Sequence, residues 1–208
     1  VVKSPKGNLF VVSAPSGTGK TTLCHRLRQI IEGITFSVSY TTRAPRPGEV
    51  EGEDYYFTDK ATFRKMADAG EFAEWAEVHG NLYGTSKTKL NEALEAGSDI
   101  LLDIDVQGAR QLRESYPDGV YVFILPPSKE VLSERLRGRM SETPEVIAGR
   151  LRKAADEIKD YVHYNYVIVN DVFEQALREL EAVVVTSRLS SSRVGHDWIE
   201  KNFLQEEG

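Results

Sequence analysis

Val11-Val12-Ser13-Ala14-Pro15-Ser16-Gly17-Thr18-Gly19-Lys20-Thr21-Thr22 is the stretch on which the reading of this chain turns. It continues an apolar run that begins at Leu9. It then opens a segment in which Leu23, Leu27, Ile30 and Ile31 recur at helical spacing. A strand, a glycine-rich turn and a helix N-terminus in that order make the context of a phosphate-binding P-loop. Backbone N–H groups around Gly17 and Gly19 are expected to wrap nucleotide phosphates, with Ser16, Thr18 and Thr22 in the same ATP-binding loop. Lys20 would reach the β- and γ-phosphates, and the Thr21 hydroxyl would hold Mg²⁺. The first glycine of G-x-x-x-x-G-K-[ST] is Ala14 here. The competing reading, a plain glycine turn capping a helix, is disfavoured by the strand before and the helix after.

Composition narrows the rest. The chain has 208 residues, 40% of them hydrophobic, which suits one compact domain with insertions. A formal net charge of −6 argues against general nucleic-acid binding, although local basic clusters can still hold phosphates. Cys24 is the single cysteine, so no intrachain disulfide forms; it reads as a small packing residue. The opening residues Val1 to Lys6 lead into an apolar run too short for a signal peptide. No segment approaches the ~20 apolar residues of a membrane span. A cytoplasmic protein with no membrane partner is expected, as a monomer or a homo-oligomer.

Four runs have the length and branching of buried strands: residues 9–12, 100–104, 120–125 and 166–169. Helical patterns alternate with them. The first stops at Gly33. Ser86 caps a second, which carries Leu90, Ala93 and Leu94 and ends at Gly97. Thr143-Pro144-Glu145 opens a third, with Ile147, Leu151, Ala154, Ile158 and Tyr161 on one side. Asn170 or Asp171 caps the last long helix, with Leu177, Leu180 and Val184 inward. Such alternation implies a parallel sheet covered on both faces. Residues 36–86 interrupt it; they read as an inserted, mostly β lobe with one helix near 61–69 ending at Gly70. The tail after Ser187 reads as a helix that packs on the core or on another subunit.

Three constellations carry chemistry. Ile100-Leu101-Leu102-Asp103-Ile104-Asp105 is a strand with two acids on one face at its end, a common way to order Mg²⁺ beside a P-loop. Thr41 to Glu49 places Arg43 and Arg46 in a loop stiffened by Pro45 and Pro47, and guanidinium groups suit a phosphate monoester. Arg135 and Arg137 precede the interruption at 138–144, Arg139 lies within it, and Arg150 and Arg152 follow it. Helix pairs of this kind close over ATP in many phosphoryl-transfer enzymes. Each set, taken alone, also fits ordinary solvated surface charge.

Together these elements resemble guanylate kinases, which phosphorylate GMP with ATP. The resemblance runs from about Gly7 to about Arg188. Its most specific parts are residues 13–21, 39–49 with Gly52 and Tyr55, 80–86, 102–108 and 167–171. It implies a nucleoside-monophosphate kinase fold: core at 1–35, 87–126 and 159–208, a GMP-binding lobe at 36–86 and a helical lid at 127–158. It also implies GMP-phosphate contacts at Arg43, Arg46, Tyr55 and Tyr83, with Glu49 in the same site, and guanine contacts at Ser39, Glu74 and Thr85 with Asp105 nearby. On the ATP side it implies lid arginines Arg135, Arg139 and Arg150, an adenine-side Asn170, and Mg²⁺ at Thr21 and Asp103.

A carboxylate at position 74 makes chemical sense, because guanine presents N1–H and the N2 amino group side by side and adenine does not. Strand alternation by itself instead turns Trp75 inward and leaves Glu74 at the surface. Met140 stands where glycine is usual in the family, Gly149 where a longer residue is common, and Thr21 where serine is frequent. The implied reaction is Mg²⁺-dependent transfer of the ATP γ-phosphoryl group to GMP or dGMP. Two other readings are a non-catalytic scaffold module and a P-loop kinase of sugar phosphates. The first sits poorly with an intact Gly17, Gly19, Lys20, Thr21 set, and the second with Arg43, Arg46, Tyr55, Glu74 and Tyr83.

Overall fold

A computed structural model describes residues 6–78, 80–138, 144–193 and 196–204. The first half runs β1 (Leu9–Ser13), α1 (Lys20–Ile30), β2 (Ile34–Phe36), β3 (Ser39–Thr41), β4 (Tyr55–Phe57), α2 (Lys60–Asp68), β5 (Phe72–Val78) and β6 (Asn81–Ser86). The second half runs α3 (Lys87–Glu95), β7 (Asp99–Ile104), α4 (Val106–Ser115), β8 (Val120–Leu125), α5 (Lys129–Arg137), α6 (Pro144–Ile158), β9 (Tyr166–Val169), α7 (Phe173–Arg188) and α8 (His196–Ile199).

Five strands form a parallel sheet in the order β2-β7-β1-β8-β9. Its centre is apolar on both faces because side chains alternate. Phe10, Val12 and Leu101 meet Leu23 and Leu27 of α1 and Leu180 and Val184 of α7. Leu9, Val11, Ile100 and Leu102 meet Leu90 and Leu94 of α3 and Ala109 and Leu112 of α4. Each fully buried Leu or Phe in these layers contributes about 2–3 kcal/mol relative to exposure. A second, mixed sheet has the order β4-β3-β6-β5. Beside β5 lies α2, capped by Asp59, whose carboxylate accepts from the N–H of Ala61 and Thr62. Between β8 and β9, α5 and α6 pair through Leu132, Leu136 and Ala154. Among the described residues no helix is long and apolar enough to cross a membrane.

Several expectations are corrected. Ile30 lies 40% exposed, because α1 ends there and Ile31 takes the buried place. Phe36 belongs to the parallel sheet, so the second sheet begins after residues 37–38 rather than before 36. Tyr161 is exposed, since the backbone tightens into a 3₁₀ turn at Lys159–His163 and rotates it off the α6 face. Neither Asn170 nor Asp171 caps α7. Val172 occupies that position without a side-chain bond, and the Asn170 amide is used elsewhere. Trp75 is 42% exposed while Glu74 is 4% exposed. A β-bulge between Phe72 and Glu74 breaks the alternation and turns Glu74 inward. The N-cap expected at Thr143 lies outside the described residues, as do Arg139 and Met140.

Candidate active site

Strand β1 delivers the loop at residues 14–19 to the C-terminal edge of the parallel sheet. Ser13 Oγ donates to the Ile104 carbonyl at 2.9 Å, which fixes the strand end. Gly17 and Gly19 have φ of 92° and 89°, a region that side-chain-bearing residues rarely adopt. Thr18 Oγ1 donates to the Pro15 carbonyl at 3.0 Å and closes the loop on itself. Behind it, Asn170 Nδ2 donates to the Thr18 carbonyl at 2.7 Å, and Arg135 Nη2 donates to the Asn170 carbonyl at 3.0 Å. No side chain caps α1 at its N-terminus. Its first N–H groups therefore point to where an anion is favoured.

Lys20 forms an ion pair with Asp103 at the end of β7. Burial pulls its ammonium below the ordinary lysine value, against the opposing charges of Cys24, Asp105 and Glu157. A cation held in a low-dielectric site acts strongly on a phosphate.

A cleft of about 380 Å³ opens between the two sheets. Of the residues singled out from sequence, it brings together Lys20, Thr21, Ser39, Tyr55, Glu74, Tyr83, Asp103 and Asp105. The loop at residues 41–49 lies next to it. Arg43 Nη2 donates to Glu49 Oε1 at 2.7 Å, and its guanidinium lies over the Tyr55 ring at 5.3 Å. The other Glu49 oxygen accepts from the Arg46 backbone N–H at 2.7 Å. Glu49 thus shapes the loop that carries both arginines. Hydrogen bonding to Arg43 and Arg46 holds its carboxyl below the usual value. Arg43 and Arg46 do not line the cleft in this arrangement; the Arg46 side chain is exposed. Thr85 stands behind Glu74. Arg150 lies half-buried on α6, and Ser16, Gly17, Thr18, Gly19 and Thr22 belong to the loop and first turn of α1.

Glu74 is the most unusual group in the cleft. Thr85 Oγ1 donates to its Oε1 at 2.6 Å. Burial pushes its carboxyl up to about 7; the Thr85 bond opposes the shift and the Asp105 charge adds to it. An inward carboxyl that faces a cavity, with the neutral Thr85 as its donor, suits a ligand presenting paired N–H groups.

Sequence reasoning missed His25 and Arg28, which line the cleft from α1. They follow Thr21 at i+4 and i+7 on one helix face, so the signal lay in the spacing. The His25 ring meets Phe36 at 5.2 Å, and Arg28 lies over the same ring at 5.6 Å. Glu53 and Asp54, also on the cleft, were missed as well.

A P-loop on the central strand of a parallel sheet, facing a second lobe across one cleft, defines a P-loop nucleotide kinase. Within that class the chain belongs to the guanylate kinase family, whose model matches residues 6–187. It is 56% identical over 189 residues to a guanylate kinase of Geobacter metallireducens, covering 91% of this chain and 93% of that protein. A guanylate kinase of Geobacter sulfurreducens is 54% identical over the same span. The crystal structure of guanylate kinase from Anaplasma phagocytophilum matches with a TM-score of 0.77 at 36% identity, over 98% of this chain and 99% of that one.

Proposed function

We propose that the chain transfers the γ-phosphoryl group of Mg-ATP to a phosphate oxygen of GMP or dGMP, giving ADP and the nucleoside diphosphate. The observation that carries this reading is the pairing of Lys20 and Glu74 across one cleft: a phosphate cation on one wall and a buried carboxyl for guanine on the other. Family membership supports the same ATP:GMP reaction.

No strong general base is needed. The second pKa of a phosphate monoester is about 6, so the acceptor is mostly dianionic at neutral pH. The barrier is the approach of two polyanions. Lys20 exchanges Asp103 for the ATP phosphates. Arg43 exchanges Glu49 for the GMP phosphate, with Arg46, Tyr55 and Tyr83 completing that contact. Arg135 and Arg150, with Arg139, spread positive charge over the transferring group from the lid at 127–158. Asn170 lies on the adenine side. Ser39, Glu74, Thr85 and Asp105 read the base from the lobe at 36–86.

The Thr21 hydroxyl and the Asp103 carboxylate both line the cleft beside Lys20. As hard oxygen donors they fit Mg²⁺, and they would hold it. Bound there, it supplies charge that offsets the triphosphate. Closure of the lobes excludes water, which otherwise competes as acceptor. The reaction belongs to nucleotide metabolism and GMP recycling, and we place it in the cytoplasm.

The test is an ADP-release assay with Mg-ATP against GMP, dGMP, AMP, UMP and CMP. Turnover confined to GMP and dGMP is expected. Lys20→Ala should lower kcat by about a thousandfold or more with the fold retained. Wild-type-like turnover in that variant overturns the P-loop assignment.

A further inference from the structure

We infer that Gly108, in the first turn of α4, is a positioning residue for guanine selection, because its missing side chain leaves the slot that holds the Glu74 carboxylate. The inference rests on the reading of Glu74 as the guanine acceptor and extends it to a residue that does not touch the nucleotide.

Gly108 is buried where α4 packs on β5. A Cβ there would run into Glu74 Oε2 and stand 3.1 Å from Glu74 Cδ and 3.4 Å from Ile104 Cδ1. One of two things must then move, the helix or the carboxylate. The helix is held. Asp105 Oδ1 accepts from the Gly108 N–H at 2.9 Å, and Ala109 and Leu112 are fully buried. One turn further, the Gln111 side chain makes a two-way bond to the β5 backbone. It donates from Nε2 to the Trp75 carbonyl at 2.8 Å and accepts the Trp75 N–H at 3.1 Å. That clamp fixes α4 against the very strand that carries Glu74.

The carboxylate is the freer partner. Among the described residues its one hydrogen bond from a side chain is the Thr85 contact at 2.6 Å, on the oxygen away from Gly108. A methyl at position 108 therefore pushes the carboxylate off the line on which it meets guanine N1–H and N2–H. Glycine is also a poor helix former, so its place here answers a steric demand rather than helical propensity.

Gly108→Ala is expected to raise the KM for GMP about tenfold or more while the KM for ATP stays within about twofold. The preference for GMP over IMP, which lacks the 2-amino group, should fall. In a Glu74→Ala background the same substitution should cost nothing further, because the group it displaces is gone. Glu74→Asp combined with Gly108→Ala should recover part of the GMP preference, since the shorter side chain clears the methyl. If Gly108→Ala fails to fold alone but folds with Glu74→Ala, the clash is confirmed directly. Equal losses in both backgrounds, or a wild-type KM for GMP in Gly108→Ala, overturn the inference. If Glu74→Ala itself leaves GMP binding unchanged, the guanine reading falls and this inference with it; if only Gly108→Ala is silent, the guanine reading stands alone.

Discussion

Burial pushes the Glu74 carboxyl toward neutral pH, from 4.5 to about 7, and that gives the residue a measurable signature. Guanine's two N–H groups need the ionised form as acceptor, so binding favours proton release. The KM for GMP should therefore fall as pH rises from about 6 to 8, while the KM for ATP follows a different course. Glu74→Ala should weaken GMP by about a hundredfold and flatten that profile, leaving ATP nearly unaffected. Stability runs the other way. A folded pKa above the unfolded value gives a contribution fully present below pH 4.5 and lost as pH rises through about 7. Glu74→Gln, which keeps an acceptor for Thr85, should then melt on the order of 5 °C higher than the parent at pH 8, with the difference gone near pH 4. A melting curve at each pH checks it. Lys20 and the loop glycines were legible because their chemistry sits in a contiguous motif. The inward turn of Glu74 was legible only through family resemblance. Period-two alternation points Trp75 inward, and one extra residue at a bulge cannot be seen in a hydrophobic pattern.

Helix α4 is the element on which both walls of the site depend. Its N-terminal end carries Asp105 and Gly108; its outer face is anchored through Asp160 to the turn that follows α6. Asp160 accepts from Arg110 Nε at 3.0 Å on both oxygens and from Arg113 Nη2 at 3.1 Å, and the Arg113 guanidinium lies over Tyr164 at 5.1 Å. Burial alone would raise the Asp160 carboxyl, but the bonds from Arg110 and Arg113 outweigh it and hold the group below its ordinary value. The contribution is therefore present above pH 3.8 and lost as pH falls through the depressed folded value. Asp160→Asn should cost about 2 kcal/mol at pH 7, a drop on the order of 5 °C in Tm, and the gap should close as pH falls through the depressed folded value. A pH-independent difference would mean the loss is packing rather than charge. At this scale the sequence carried four of the five strands of the parallel sheet and the helices α1, α3, α6 and α7, since runs of β-branched residues and i, i+4 apolar faces are local signals; β2 and α4 went unread. Asn170 it carried on the ATP side only through family resemblance, without the contact the residue makes. An Asn ahead of a helix reads as a cap, yet its amide spans from β9 to the P-loop, a contact 152 positions away in the chain.

On the scale of the whole molecule, the cleft is shared by two sheets whose residues alternate along the chain: α1, then β3 and β4, then β5 and β6, then the end of β7. That assembly explains why His25 and Arg28 escaped sequence reading. Spacing puts them on the Thr21 face of α1, and only the fold shows that this face meets the cleft. It also sets the order of events. Arg43 rests on Glu49, and Arg135 rests on the carbonyls of Asn170 and Thr18. In the proposed reaction both cations change partners to meet phosphate. A nucleotide at one subsite rewards only one exchange, so the two lobes should close fully only when both subsites are filled. A dinucleoside polyphosphate that spans adenine and guanine sites tests this. It should slow backbone hydrogen exchange across residues 36–78 and 144–158 together, whereas ATP alone should protect mainly residues 14–22. At a concentration about a hundredfold over its Kd it should also add about 2.7 kcal/mol to stability, read as a Tm rise on the order of 5–10 °C. Equal protection of the 36–78 segment by ATP alone would show that the lobes close without an acceptor. The charged site would then assemble around ATP with a trapped water as the one acceptor present, and ATP should be hydrolysed in the absence of GMP.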